Sequence, residues 1–218
     1  MRTLDRILIA FAILVAIGLS YLGYFWLTAP VSSTAVAEAS LSIAKDPLQI
    51  MVNSEYIPAI ERSGYRILLN ARASYRLDGI LVSKKHYSGG IMNWLGPWDY
   101  AVVWGAVPQQ LKYLKFKQAV RYALFRYDPS VPIDVSYIMT HSSNNHLIPA
   151  TPNLRKALSR AKKHSQVRLE GFLVEVTVIK NGKGSNNWNS SLTRTDTGNG
   201  ACELIYLKRL RLGDQIYE

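Results

Sequence analysis

No charged residue occurs between Ile7 and Thr28, a run built from Leu, Ile, Ala, Val, Phe and Gly. About 20 consecutive apolar residues are enough to cross the hydrocarbon core as a helix, so the run reads as a transmembrane segment bounded by Ile7 and Thr28. Tyr21, Tyr24 and Trp26 gather at its far end, where an interfacial aromatic belt belongs. Arg2 and Arg6 precede it and favour a cytoplasmic N-terminus, which sends the chain beyond residue 30 across the bilayer. In a Gram-negative cell that places an inner-membrane anchor inside and a periplasmic domain outside. A cleaved signal peptide is the rival reading, because Ala35-Val36-Ala37 offers small residues at the spacing a signal peptidase uses. Secretory apolar regions run roughly 7–15 residues, and this one is longer. The length favours an uncleaved signal-anchor, although cleavage after Ala37 remains open. Either reading exports the remainder.

The expected organisation is an anchor over residues 1–28, a linker over 29–64 with short helices, and a β-rich domain over 65–218. The domain is long enough to bury a core of its own, and 13 Tyr with 5 Trp suit a packed globule rather than a disordered chain. Net charge is +11; without Arg2, Arg6 and Asp5 the remainder holds 24 basic and 14 acidic residues, or +10. That balance favours an anionic polymer or lipid headgroups as partners, alongside an envelope protein, while nucleic acid is not expected. The bland account is a solvated basic face beside an anionic bilayer. Cys202 is the single cysteine, so no intrachain disulfide can form. Its setting, GACELIYL, reads as a buried strand holding an inert thiol.

Periodicity predicts strands at Tyr65–Leu69, Ala73–Ser83, Tyr100–Val107 and Ala119–Tyr127, with a short helix over Gln109–Lys117. Pro152–Lys163 is the clearest helix: Thr151 suits the N-cap, Pro152 the first turn, and Leu154, Ala157, Leu158 and Ala161 one face. Gln166–Ile179 reads as a long strand, Asn181-Gly182 as a hairpin turn and Ala201–Leu210 as the returning strand. Arg76-Leu77-Asp78-Gly79 is echoed by Arg168-Leu169-Glu170-Gly171. A duplicated domain would produce such an echo, but nothing else repeats at a fixed offset. Two strands with the same bend at a glycine account for it better. The order β-β-β-α-β-β then predicts a mainly β, α+β fold. It is an N-terminal transmembrane helix followed by a small OB-like, or other partly open, β-barrel with one prominent amphipathic helix.

Two polar clusters exceed the needs of a core. In His141-Ser142-Ser143-Asn144-Asn145-His146, an extended chain turns Ser142, Asn144 and His146 to one side. The competing reading is a turn whose side chains satisfy its own backbone before Pro152. His141 and His146, five apart, do not converge on a metal, and neither a metal nor another cofactor is expected. The second cluster runs from Trp188 through Ser190, Ser191, Arg194 and Asp196 to Glu203, with Arg194 and Asp196 spaced to pair on one strand face. Ser190 or Ser191 with His146 and Asp196 has the ingredients of a nucleophilic triad, and Cys202 with His146 those of a thiolate nucleophile, yet no strained GxSxG turn surrounds either serine. Trp94, Trp98 and Trp104 read as core and rim packing.

Together the motifs Pro97-x-Asp99, Trp104-Gly105, Ser142-x-Asn144-x-His146-Leu147-Ile148-Pro149-Ala150, Gly171-x-Leu173-Val174, Trp188-x-Ser190-Ser191-Leu192-x-Arg194-x-Asp196-x-Gly198 and Gly200-Ala201-Cys202-Glu203 carry a resemblance. The chain resembles, from about Tyr75 to Leu210, a family of bacterial single-pass membrane-associated proteins with no known activity. The basic stretch Lys112–Lys117 departs from that pattern. The resemblance implies a set of residues and no reaction. The expected function is therefore a membrane-tethered, non-catalytic binding module in the cell envelope. Its expected site is His141, Ser142, Asn144, His146, Trp188, Ser190, Arg194, Asp196 and Glu203. The alternative is an envelope hydrolase using Ser191 or Cys202 with His146.

Overall fold

A computed structural model describes residues 3–28, 32–35, 41–53, 55–193 and 202–218. Two compact units make up the chain, Met1–Ser32 and Ser33–Glu218. Helix α1 (Thr3–Thr28) forms the first. Its side chains from Ile7 to Gly23 are exposed although nearly all are apolar, Phe11, Leu14, Leu19 and Leu22 among them. Among the described residues no helix is long and apolar enough to cross a membrane. The expected span over Ile7–Thr28 is thus not carried by the described residues.

The second unit makes the molecule mainly β, with 47% strand against 25% helix overall. It opens with three short strands, β1 (Thr34–Ala35), β2 (Leu48–Met51) and β3 (Ile60–Arg62). Strand β4 (Tyr65–His86) leads through helix α2 (Gly90–Leu95) to β5 (Trp98–Val103). A 3-10 helix, Val107–Tyr113, precedes the hairpin β6 (Leu114–Ala119) and β7 (Tyr122–Tyr127). Helix α3 (Val135–Thr140), β8 (Ser142–Pro149) and α4 (Pro152–Ala157) follow. Then come β9 (Gln166–Lys180), β10 (Lys183–Asn189), β11 (Glu203–Leu212) and β12 (Gln215–Tyr217).

Pairing runs β4–β5, β5–β8, β8–β11, β11–β9 and back from β9 to β4, so five strands close a ring. Every pair is antiparallel except β8–β11. All five strands send fully buried side chains to the core, including Leu77, Tyr100, Leu147, Leu169, Leu173 and Ile205. Removing such side chains from water is the main favourable term in folding. Strands β2 and β3, from within residues 29–64, extend the sheet by pairing with β4.

The two echoed motifs lie against each other. Arg76 opposes Glu170, Leu77 opposes Leu169 and Asp78 opposes Arg168. Antiparallel pairing of R-L-[DE]-G with itself places each arginine across from the other copy's acid, which explains the repeat without duplication. Asp78 accepts from Arg168 Nε at 2.6 Å and Nη2 at 2.8 Å, and from the Ser42 amide at 2.8 Å. Burial alone would raise the Asp78 pKa, but these hydrogen bonds and the nearby Arg168 and Arg76 charges outweigh it and hold the carboxyl below its usual value.

Several expected elements differ. The two segments predicted at Tyr65–Leu69 and Ala73–Ser83 form one 22-residue strand, whose pairing with β9 shifts register between Ala71 and Ala73. The strand predicted at Tyr100–Val107 stops at Val103, because Gly105 takes φ +64 and turns the chain. The helix expected over Gln109–Lys117 is present only as the 3-10 helix to Tyr113, with β6 starting at Leu114, and the strand expected over Ala119–Tyr127 is β7 from Tyr122, Ala119 being the end of β6 across the turn. The predicted helix Pro152–Lys163 starts with Thr151 accepting from the Leu154 amide at 3.1 Å, but tightens to 3-10 geometry at Leu158–Arg160 and ends there. The segment at 142–149, read mainly as a turn, is the central strand β8. The return from Asn181-Gly182 is β10, whereas β11 comes from a separate crossing.

Candidate functional site

On β8, Asn144 and His146 face the same side, as period two requires. His146 stands between Asp99 of β5 and Leu204 of β11 in register. Its Nδ1 lies 2.8 Å from Asp99 Oδ1, and both side chains are almost wholly buried, 5% and 0% exposed. A carboxylate accepts, so Nδ1 carries the hydrogen that points to Asp99 and Nε2 is the ring's other polar edge. Among the described residues Nε2 has no hydrogen-bond partner.

Arg121 reaches the same carboxylate from the β6–β7 turn. Its Nη1 donates to Asp99 Oδ1 at 2.8 Å, while Nη2 donates to Asn93 Oδ1 at 2.5 Å and to the Gly96 carbonyl at 2.9 Å. The guanidinium lies 4.2 Å from the centre of the Tyr87 ring and 5.1 Å from that of Trp188. Cation–π attraction of this kind strengthens as water is excluded. Oδ2 of Asp99 is fully buried and makes no hydrogen bond to a described residue, although the Tyr87 phenol is near enough to feel its charge. Burial, then Asp99, push the Tyr87 pKa up, with Arg121 acting the other way.

The turn that delivers Arg121 is strained. Val120 and Arg121 take φ +47 and +66, the left-handed pair of a two-residue hairpin turn. Asn-Gly is the usual choice there, and a β-branched residue with positive φ is an outlier. The turn is held on both sides: the Arg121 amide donates to Tyr87 Oη at 3.1 Å, and Asn144 Nδ2 donates to the Arg121 carbonyl at 2.8 Å. Gln118 Nε2 donates to Asn144 Oδ1 at 2.7 Å.

Trp188, on β10, closes the other side. Its ring centre is 4.9 Å from that of His146, and its edge would touch a Cβ on Gly96 at 3.1 Å. Cys202 lies beside Asn144, with Sγ 3.7 Å from Asn144 Nδ2 and 3.8 Å from the Arg121 carbonyl. It precedes β11 and is only half-buried, so the buried-strand expectation for its thiol is corrected.

The other expected site residues disperse. His141 caps α3, stacks on Tyr137 at 3.7 Å and lies 3.7 Å from Asp46. Ser142 Oγ donates to the Ile138 carbonyl at 2.7 Å, which ties β8 to α3. Ser190 Oγ accepts from the Leu204 amide at 3.0 Å, and Ser191 Oγ both donates to and accepts from the Thr193 backbone. Glu203 is buried and opposes Asn145, whose side chain turns to the other face of β8 to meet the Tyr100 carbonyl at 3.0 Å. Arg194 and Asp196 lie outside the described residues. Among the described residues no three His, Cys, Asp or Glu side chains converge as metal ligands.

Four participants escaped the sequence reading: Asp99 as His146's partner, Arg121, Tyr87 and Asn93. Asp99 had a detectable signal, since a lone acid in the apolar run PWDYAVVWG must find a partner if buried. Arg121 had none, because Val-Arg is no turn signature.

Compared with known proteins, the chain matches no family model, no curated protein and no solved structure.

Proposed function

We propose that this is a membrane-anchored envelope protein whose α1 holds an OB-type barrel outside the cytoplasm, and that the barrel is a non-catalytic binding module. The OB reading is supported by the ring order β4-β5-β8-β11-β9 with its one parallel pair and by α4 between β8 and β9, a five-stranded Greek-key arrangement. The anchor reading is supported by α1's 26-residue length, its uncharged run and its exposed apolar side chains. Arg2 and Arg6 favour an inner-membrane protein with its N-terminus in the cytoplasm.

One observation carries the binding reading. His146 is locked by Asp99 through Nδ1, yet its Nε2 is unused by any described residue, at a point where segments from 87–99, 118–121, 144–146, 188 and 202 meet. A fixed imidazole edge beside an indole and a guanidinium suits a partner that brings one hydrogen-bonding group and a flat apolar surface. Crosslinking in cells, followed by identification of what the tagged full chain holds, tests it. Trp188→Ala should lose the wild-type adduct while keeping a similar thermal melt, and His146→Ala should lose more of the adduct than its lowered melt accounts for. Loss of the adduct only in proportion to unfolding would show these side chains to be structural.

The hydrolase alternative rests on the same geometry, because an Asp–His pair leaves Nε2 placed as a base. Cys202, half-buried beside Asn144, is better situated for it than Ser191, whose hydroxyl closes its own turn. The binding reading expects Cys202 to react with iodoacetamide no faster than an unperturbed thiol, with no dependence on His146. Fast alkylation at neutral pH that falls in His146→Ala would favour the hydrolase.

A further inference from the structure

The outer face of the β6–β7 hairpin carries cations without anions. From Tyr100 to Tyr127 the sequence has no acidic residue and five basic ones. Arg121 turns inward to Asp99, whereas Lys115, Lys117 and Arg126 are exposed. The register sets Lys115 directly across from Arg126, and Lys117 across from Leu124. Like charges directly opposed on one sheet face repel, and a bound anion relieves that repulsion. These side chains line a cleft of about 470 Å³ with Phe116, Leu124 and Phe125. Apolar groups stand beside it in water: Val120 is 83% exposed, Leu124 47% and Tyr127 46%.

We infer that this face docks on an anionic phospholipid surface, the lipid phosphate lying between Lys115, Lys117 and Arg126 while Val120 and Leu124 enter the interfacial layer. A free phosphate would satisfy the cations but give the exposed Val120 and Leu124 nothing to cover them; a phospholipid supplies both groups. Arg121 gives the face its rigidity, since it pins the turn to Asp99, Asn93 and Gly96.

Amide hydrogen exchange over residues 114–127 tests the proposal in the full-length chain. The chain is reconstituted in neutral phosphatidylcholine nanodiscs, in discs containing phosphatidylglycerol, and in neutral discs with free inorganic phosphate at matched phosphate concentration. Exchange in this segment should slow several-fold in the anionic discs alone. The charge reversals Lys117→Glu and Arg126→Glu together should restore the neutral-disc rate without changing the thermal melt. Equal exchange in neutral and anionic discs overturns the proposal, as does equal slowing by free phosphate, which would make the cleft a small-anion site. A chain that does not co-elute with any disc defeats the anchor reading separately. The comparison is then made with vesicles of the two compositions added to the free chain, where slowing by phosphatidylglycerol vesicles alone supports the docking face and no difference overturns it.

Discussion

A Cβ on Gly171 would stand 2.0 Å from the Tyr206 carbonyl oxygen, and one on Gly79 would stand 2.7 Å from that of Val103. Both contacts are with backbone that the ring holds in place, so neither neighbour can retreat cheaply. Gly171→Ala should therefore cost at least the 1–3 kcal/mol, roughly, of an overpacked core, measured as a lowered urea midpoint. Gly184→Ala, where a Cβ meets nothing within 4 Å, is the control and should change little. Asp78 gives the corresponding statement for pH. Its folded pKa lies below the unfolded value of about 3.9. The stability it contributes is thus fully present above about pH 4 and is lost as pH falls through the lower folded pKa. Asp78→Asn removes the carboxylate that both Nε and Nη2 of Arg168 bind, leaving Glu170 at 3.6 Å, and should destabilise the fold near neutral pH by up to about 3 kcal/mol. It should also flatten the pH dependence of the melting temperature below about pH 4. An acid limb as steep as wild type would show that Asp78 does not contribute to acid unfolding.

At the scale of elements, the hairpin turn explains why part of the site could not be read in advance. Alternation and capping rules depend on local residue types, so the long strands, the Asn181-Gly182 turn and the Thr151 cap were legible. Val120-Arg121 breaks the local preference, and tertiary contacts of Arg121 with Asp99, Asn93, Gly96, Tyr87, Asn144 and Trp188 hold it. Strain maintained by surrounding structure is characteristic of functional sites. Val120→Asn, which tolerates positive φ, should raise stability by about 1 kcal/mol while leaving partner capture intact. A drop in stability would mean that the valine side chain itself is needed. For β8 the failure was different. Ser-Ser-Asn-Asn-His has poor strand propensity, and burial between β5 and β11 overrides it, since β-propensity mostly reports fit to neighbours. Facing of Asn144 and His146 followed from period two alone; His141, Ser142 and Ser190 were polar for backbone reasons that sequence could not separate from ligand binding.

The molecule contains an exposed apolar helix and a closed β ring with two buried polar groups, Asp78–Arg168 and Asp99–His146–Arg121. Strand order at the coarse level is legible because each long strand has its own periodicity; the hairpin inserted between β5 and β8 carries the same periodicity in β7, while the third strand of the ring is the polar β8. The anchor reading predicts that the full chain stays with membranes through alkaline carbonate washing and that a reporter fused after Glu218 is active only outside the cytoplasm; recovery in the wash would defeat it. The central claim is that the partner meets the Asp99–His146–Arg121–Trp188 end. A photoreactive residue at Asn189, exposed next to Trp188, is compared in living cells with one at Asp214, exposed at the opposite end of β11 from Cys202. The account predicts a discrete adduct from position 189 that disappears with His146→Ala, and none from position 214. An adduct from 214 alone, or one from 189 that persists without His146, would contradict it.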